Sequence, residues 1–136
     1  MRRTLALLLS LGVLLAAAAV AQAASTTYFH GASAGRTVKP KNVYLSADGT
    51  LDVYHMKWIK WGASAVGFGT ANYHGCTPTC AAGKNHTRSV VVRLNHQVTC
   101  KGVRYFNRVQ LFDRHSLKPL FVRDLSHDAW APCRLP

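Results

Sequence analysis

A chain of 136 residues with 17 Lys and Arg, five acidic residues and a formal charge of +12 is sized for one domain with little to spare. All five acids are Asp, so acid–base work by paired carboxylates is poorly supplied, and the absence of Glu weakens any helix-rich reading. Val, Thr, Tyr, Phe and Trp favour strands, and the charge attracts polyanions: teichoic acids, acidic polysaccharides, anionic lipid heads and, lower in order, nucleic acid.

The chain opens like an export signal. Arg2 and Arg3 precede an uncharged run over residues 5–20, and small residues then form A-x-A sites at Ala19–Ala21 and Ala21–Ala23. This order predicts a signal peptide over 1–23, cut after Ala23 or, as second choice, after Ala21. The apolar run is short of the roughly 20 residues of a membrane span. No later stretch is apolar enough to span, so the expectation is a secreted or cell-envelope-associated protein. Removing Arg2 and Arg3 lowers the formal charge to about +10.

Residues 24–37 are small and polar, with Gly31 and Gly35, and read as a flexible leader. The single β domain is then expected over 38–136. A short strand over 42–46 meets the turn Asp48-Gly49, where Gly accepts positive φ. A long strand follows over 51–61, ended by Gly62, and a third over 63–73. Gly67 and Gly69 inside the third mark a bulge or a close backbone approach. Residues 74–87 read as an irregular loop. A fourth strand over 88–96, the turn Lys101-Gly102, a fifth strand over 103–113 and a short edge strand over 119–123 complete the chain. About six short strands joined by turns predict an all-β fold, a small antiparallel sandwich or barrel, with both architectures open and a monomer expected.

Alternation assigns faces. Val90, Val92, Leu94 and His96 point one way, and Val91, Arg93 and Asn95 the other. Val103, Tyr105, Val109 and Leu111 share one side of the fifth strand, opposite Arg104, Phe106, Arg108, Gln110 and Phe112. The second strand is apolar on both sides, which predicts a central strand covered on both faces. Trp58 and Trp61, three apart, fall on opposite faces.

The four cysteines, Cys76, Cys80, Cys100 and Cys133, lie after the export signal and read as two disulfides. Cys76–Cys80 as a loop clip with Cys100–Cys133 as a tail staple is favoured; Cys80–Cys100 with Cys76–Cys133 stays open.

Trp58-x-x-Trp61-Gly62, Gly67-x-Gly69-Thr70 and Cys76-x-Pro78-x-Cys80-Ala81-x-Gly83 occur in succession, continued by Val90-x-Val92-x-Leu94 and Tyr105-Phe106. Over residues 39–112 the chain resembles small secreted all-β proteins of high-GC Gram-positive bacteria, a family with no assigned activity. The resemblance implies an exported all-β domain and carries no catalytic residues across.

The leading candidate surface lies on strands four and five, where Arg93, Arg104 and Arg108 accompany Phe106 and Phe112. Basic groups interleaved with aromatics hold anionic polymers. The expected function is a non-catalytic binding module for an anionic cell-envelope polymer or polysaccharide. A small His-based hydrolase or nuclease is the alternative, with His55, His96, His115 and His127 as candidates; a secreted protein inhibitor presenting the loop around Pro78 is another. His74, Cys76, Cys80 and His86 form a weaker set for zinc or copper. No cofactor motif is present, since Gly67-Phe68-Gly69 lacks the strand-to-helix setting of a nucleotide loop.

Overall fold

The computed structural model describes residues 26–133, so the expected signal peptide lies outside the described residues. The fold is all-β: β1 Thr27–Gly31, β2 Gly35–Thr37, β3 Val43–Tyr44, β4 Leu51–Trp61, β5 Ala65–His74, β6 Asn85–Cys100, β7 Val103–Asp113 and β8 Pro119–Asp124. One curled sheet in the order β2-β1-β7-β6-β5-β4-β3, with β8 also on β7, makes a half-barrel.

A three-residue turn, a longer loop over 75–84 and a two-residue turn join β4 to β7 into an antiparallel meander. At the β6–β7 turn Lys101 and Gly102 have φ of 49° and 78°, so both central residues are left-handed, which matches the twist of the flanking strands. The sheet is mixed, not purely antiparallel, because β1 runs parallel to β7, pairing Thr27 with Arg104 and Tyr28 with Tyr105. Parallel neighbours need a long crossover, and the whole meander supplies it.

Residues 27–37 are not a flexible leader. They carry β1 and β2, and Phe29 is 1% exposed in the core beside Val43, Leu45, Val53, Leu94 and Leu111. Burying such a side chain contributes roughly 1.5–3 kcal/mol. Further bonds curl the sheet towards closure: the Ala32 N–H donates to the Tyr44 carbonyl at 3.0 Å, and the Trp61 indole N–H to the Thr27 carbonyl at 2.9 Å. The Trp58 indole N–H donates to the Pro40 carbonyl at 2.8 Å. Arg123 donates to the Leu45 carbonyl at 3.1 Å, spanning from β8 to the end of β3.

The second expected strand, β4, is not covered on both faces. Ile59 is 68% exposed, and His55, Lys57 and Lys60 are exposed. Register shifts between Tyr54 and Lys57 and between Trp58 and Lys60, with His55 at φ 57°, interrupt the alternation. Trp58 and Trp61 therefore meet edge to face, 4.8 Å between centroids, and do not lie on opposite faces. Gly67 and Gly69 are the close approaches that the sequence marks: a Cβ at Gly69 would stand 2.6 Å from Met56 Sδ and 2.7 Å from Val53 Cγ1.

Both disulfides have the favoured pairing. Cys76–Cys80 clips the β5–β6 loop, and Cys100–Cys133 ties the tail to the end of β6 across a separation of 33 residues.

Candidate functional site

The convex face of the meander presents its side chains in registered rows. Phe112 on β7 pairs with Val91 on β6, Val91 with Phe68 on β5, and Phe68 with Lys57 on β4. At about 4.8 Å between strands this row runs roughly 14 Å. The next row joins Gln110, Arg93, Val66 and Lys60. The opposite side of the same strands holds Val90, Val92, Val109 and Leu111 in the core, so alternation presents Phe68, Val91 and Phe112 to the outside.

Two arginines lie on the two outer rings. Arg93 Cζ sits 5.7 Å from the Phe112 centroid, and Arg114 Cζ 4.7 Å from that of Phe68. Arg114 follows β7, and its N–H donates to the Ser89 carbonyl at 3.1 Å, which turns the chain back across β6 towards β5. Between them Val91, Arg93, Phe112 and Leu117 line a shallow hollow of about 240 Å³. Leu117 is 64% exposed.

The face keeps its charge because the acids are engaged elsewhere. Asp48 Oδ1 accepts from the Thr50 hydroxyl and N–H at 2.8 and 3.1 Å. Asp52 is buried, taking the Leu45 N–H at 3.1 Å and the Tyr54 hydroxyl at 3.3 Å. Asp113 Oδ1 accepts from the His115 and Ser116 N–H groups and the Ser116 hydroxyl. Asp124 accepts from Asn107, the Ser126 N–H and the Ser126 hydroxyl. Asp128 is bound by Arg123. Every acid of the chain thus serves a turn or an internal pair. Asp113 and Asp124 are held below the usual carboxylate range chiefly by the backbone N–H of Ser116 and Ser126, and Asp48 chiefly by the Thr50 hydroxyl. Only Asp113, 3.8 Å from Arg88, and Asp128 form ion pairs among the described residues.

The structure brings together only part of the expected surface. Arg93 and Phe112 meet. Phe106 does not belong to the surface: it is 2% exposed and packs against Trp61 at 5.4 Å. Alternation fails there because His96, opposite Asn107 between the Asn95–Arg108 and Gln97–Phe106 pairs, takes φ 53°. The kink turns Phe106 inward with Val109, three residues on. Arg108 pairs across to Asp124 on β8 and leaves its Nε buried without a partner. Arg104 lies eight residues before Phe112, roughly 26 Å along the strand. Phe68, Arg114 and Lys57 were not among the expected residues; the alternation of Val66, Phe68 and Thr70 was the available signal for Phe68.

The Cys/His set is not a metal centre, because Cys76 and Cys80 are bonded to each other. His74 Nε2 bonds the Cys80 carbonyl at 2.7 Å and Nδ1 faces Asn85 Oδ1 at 2.9 Å, so the ring braces the clip. His86 stacks on Tyr73 at 5.3 Å within the β5–β6 pairing, which extends to residue 85 and shortens the expected loop. No group of three His, Cys, Asp or Glu side chains is placed to hold a metal among the described residues. His55, His96, His115 and His127 are exposed, at the β4 bulge, the β6 kink and two separate turns.

No family model, curated protein or solved structure matches the chain. Among the described residues no helix is long and apolar enough to cross a membrane.

Proposed function

We propose that the protein is an exported, non-catalytic binding module for an anionic cell-envelope polymer or polysaccharide, acting through the convex face of β4 to β7. The observation that carries this reading is the pair of arginine–aromatic contacts, Arg93 on Phe112 and Arg114 on Phe68, at the ends of a half-exposed apolar row with Lys57 beside it. A guanidinium lying on a ring keeps its edge donors free for phosphate, sulfate or carboxylate, and the ring offers a surface for a sugar. Two disulfides suit an oxidising compartment, in keeping with export.

The test is retention on immobilised teichoic acid and on heparin across a salt gradient. Arg93→Ala combined with Arg114→Ala is expected to lower the eluting salt clearly, and Arg104→Ala combined with Arg108→Ala to lower it less. Equal losses from the two pairs would leave net charge as the whole cause, and no loss from either would end the reading.

The loop from Cys76 to Cys80 favours a second reading, a protein inhibitor. Its residues are exposed, closed by a disulfide and braced by His74. A loop closed by a disulfide loses little entropy on docking. A panel of secreted proteases assayed with the protein and with Thr77→Ala/Thr79→Ala tests it, since an inhibitor of this kind loses potency in the variant.

A further inference from the structure

The half-barrel is open on the side where β8 and β4 have no hydrogen-bonded pairing. A cleft of about 350 Å³ lies there, walled by Leu51, Val90, Leu111 and Phe121. Its volume is at the small end of ligand sites, which run roughly 300–1,000 Å³. The walls carry no charge. At the rim stand Arg88, with a side chain 47% exposed, the half-buried Tyr73, and Leu120, itself 42% exposed.

We infer that this cleft binds a single-chain anionic amphiphile, an alkyl carboxylate, with its chain between Leu51, Val90, Leu111 and Phe121 and its head on Arg88 and Tyr73. The argument is one of complementarity between an apolar slot and a cation at its mouth. The Arg88 Nε faces Asp113 Oδ2 at 3.8 Å, which orients the guanidinium; its Nη groups have no hydrogen bond among the described residues. The other carboxylate oxygen, Oδ1, is engaged by the 115–116 turn, accepting from the His115 and Ser116 N–H groups and the Ser116 hydroxyl. The Tyr73 ring is fixed by stacking on His86, 5.3 Å away at 24°, and its hydroxyl makes no hydrogen bond among the described residues. A planar fork and a hydroxyl match the two oxygens of a carboxylate. The volume admits one chain, not two. This site lies on the concave side and is independent of the polyanion face.

The test is calorimetric titration of the disulfide-intact exported protein with dodecanoate below its micellar concentration. Saturable binding of one molecule per chain is expected. Arg88→Met is expected to weaken it roughly tenfold. Leu120→Glu, at an exposed position that does not threaten the fold, is expected to weaken it comparably by placing like charge at the rim. Arg93→Ala with Arg114→Ala leaves it unchanged, which separates this site from the convex face. Dodecyltrimethylammonium, with the same chain and opposite charge, is expected to bind far more weakly. Non-saturable uptake, equal affinity for the cationic amphiphile, or indifference to both Arg88→Met and Leu120→Glu overturns the inference.

Discussion

Arg114 lies over the ring of Phe68 with its guanidinium carbon 4.7 Å from the centroid, although the two residues are 46 positions apart and β7, which Arg114 follows, does not pair with β5. The contact holds a charge on β5 that no residue of β5 carries, because β5 between Ala65 and His74 contains no Lys or Arg. A cation–π contact at an exposed site contributes about 0.5–1 kcal/mol, enough to orient an arginine without neutralising it.

Two substitutions at this contact are expected to act differently on polyanion binding. Arg114→Ala removes a charge, so it lowers both affinity and the slope of log affinity against log salt, by roughly one counterion. Phe68→Ala keeps the charge and loses its shelf, so affinity falls while the slope is unchanged. Retention or titration at four or five salt concentrations separates the two. Equal slope changes would mean that the ring does nothing beyond packing.

Gly69 is a packing requirement. A Cβ there would stand 2.6 Å from Met56 Sδ, 2.7 Å from Val53 Cγ1 and 2.9 Å from the Tyr54 carbonyl oxygen. Met56 can swing away, but Val53 is fully buried and the carbonyl belongs to the β4 backbone. Gly69→Ala is expected to destabilise by about 1–3 kcal/mol, the usual cost of overpacking, as read from urea unfolding. Gly62→Ala, with open space around its Cβ position, is the control and is expected to change little.

The bounds of β4 and β7 were legible because each begins and ends at a turn signal, Gly49 and Gly62 for one and Gly102 and the polar turn after Asp113 for the other. The cysteine pairing was legible too, since a separation of four suits a clip. The N-terminal strands were not. Thr27 to Thr37 has one aromatic pair among small and polar residues, and β1 earns its place through a parallel partner 77 positions away, which no local pattern announces. At the site, Arg93 and Phe112 were found because β6 and β7 keep strict alternation between Val90 and Leu94 and between Val109 and Phe112. Phe106 was misplaced because one left-handed residue, His96, reverses the faces beyond it. Trp58 and Trp61 were separated wrongly for the same kind of reason, a register shift in β4.

Stability is expected to change with pH through two sets of groups, carboxylates at low pH and histidines above and below 6.5. Asp48, Asp113 and Asp124 have folded values below their ordinary 3.8, so their contribution is fully present above that value and is lost as pH falls through the lowered ones. His74 is raised above 6.5, chiefly by the Cys80 carbonyl, so its contribution is present below 6.5 and is lost as pH rises through the raised value. His30, lowered by burial, opposes His74: protonation disfavours the fold as pH drops below 6.5. Melting curves of the protein and of His74→Gln resolve the alkaline limb. The variant is expected to be less stable below pH 6.5, with the gap narrowing as pH rises above it; a constant gap would remove His74 from the account.

The two disulfides are expected to differ in what they contribute. Cys100–Cys133 closes a loop of separation 33 and Cys76–Cys80 one of separation four. Loop-closure entropy then gives about 3–4 kcal/mol for the first and about 2 kcal/mol for the second. Local structure widens the difference. Opening Cys100–Cys133 releases the tail that places Leu125, 2% exposed in the core, and Trp130, which stacks on His30 at 6.3 Å. Opening Cys76–Cys80 frees an exposed loop whose ends remain paired through Tyr73 with His86 and His74 with Asn85. Urea unfolding of Cys100→Ser/Cys133→Ser is therefore expected to show the larger loss, and that of Cys76→Ser/Cys80→Ser the smaller. The clip variant is expected to keep its retention on anionic matrices, since none of its loop residues lies on the convex rows of β4 to β7. A clip variant that unfolds as readily as the tail variant would show that the loop, and not the C-terminal staple, holds the half-barrel in its curl.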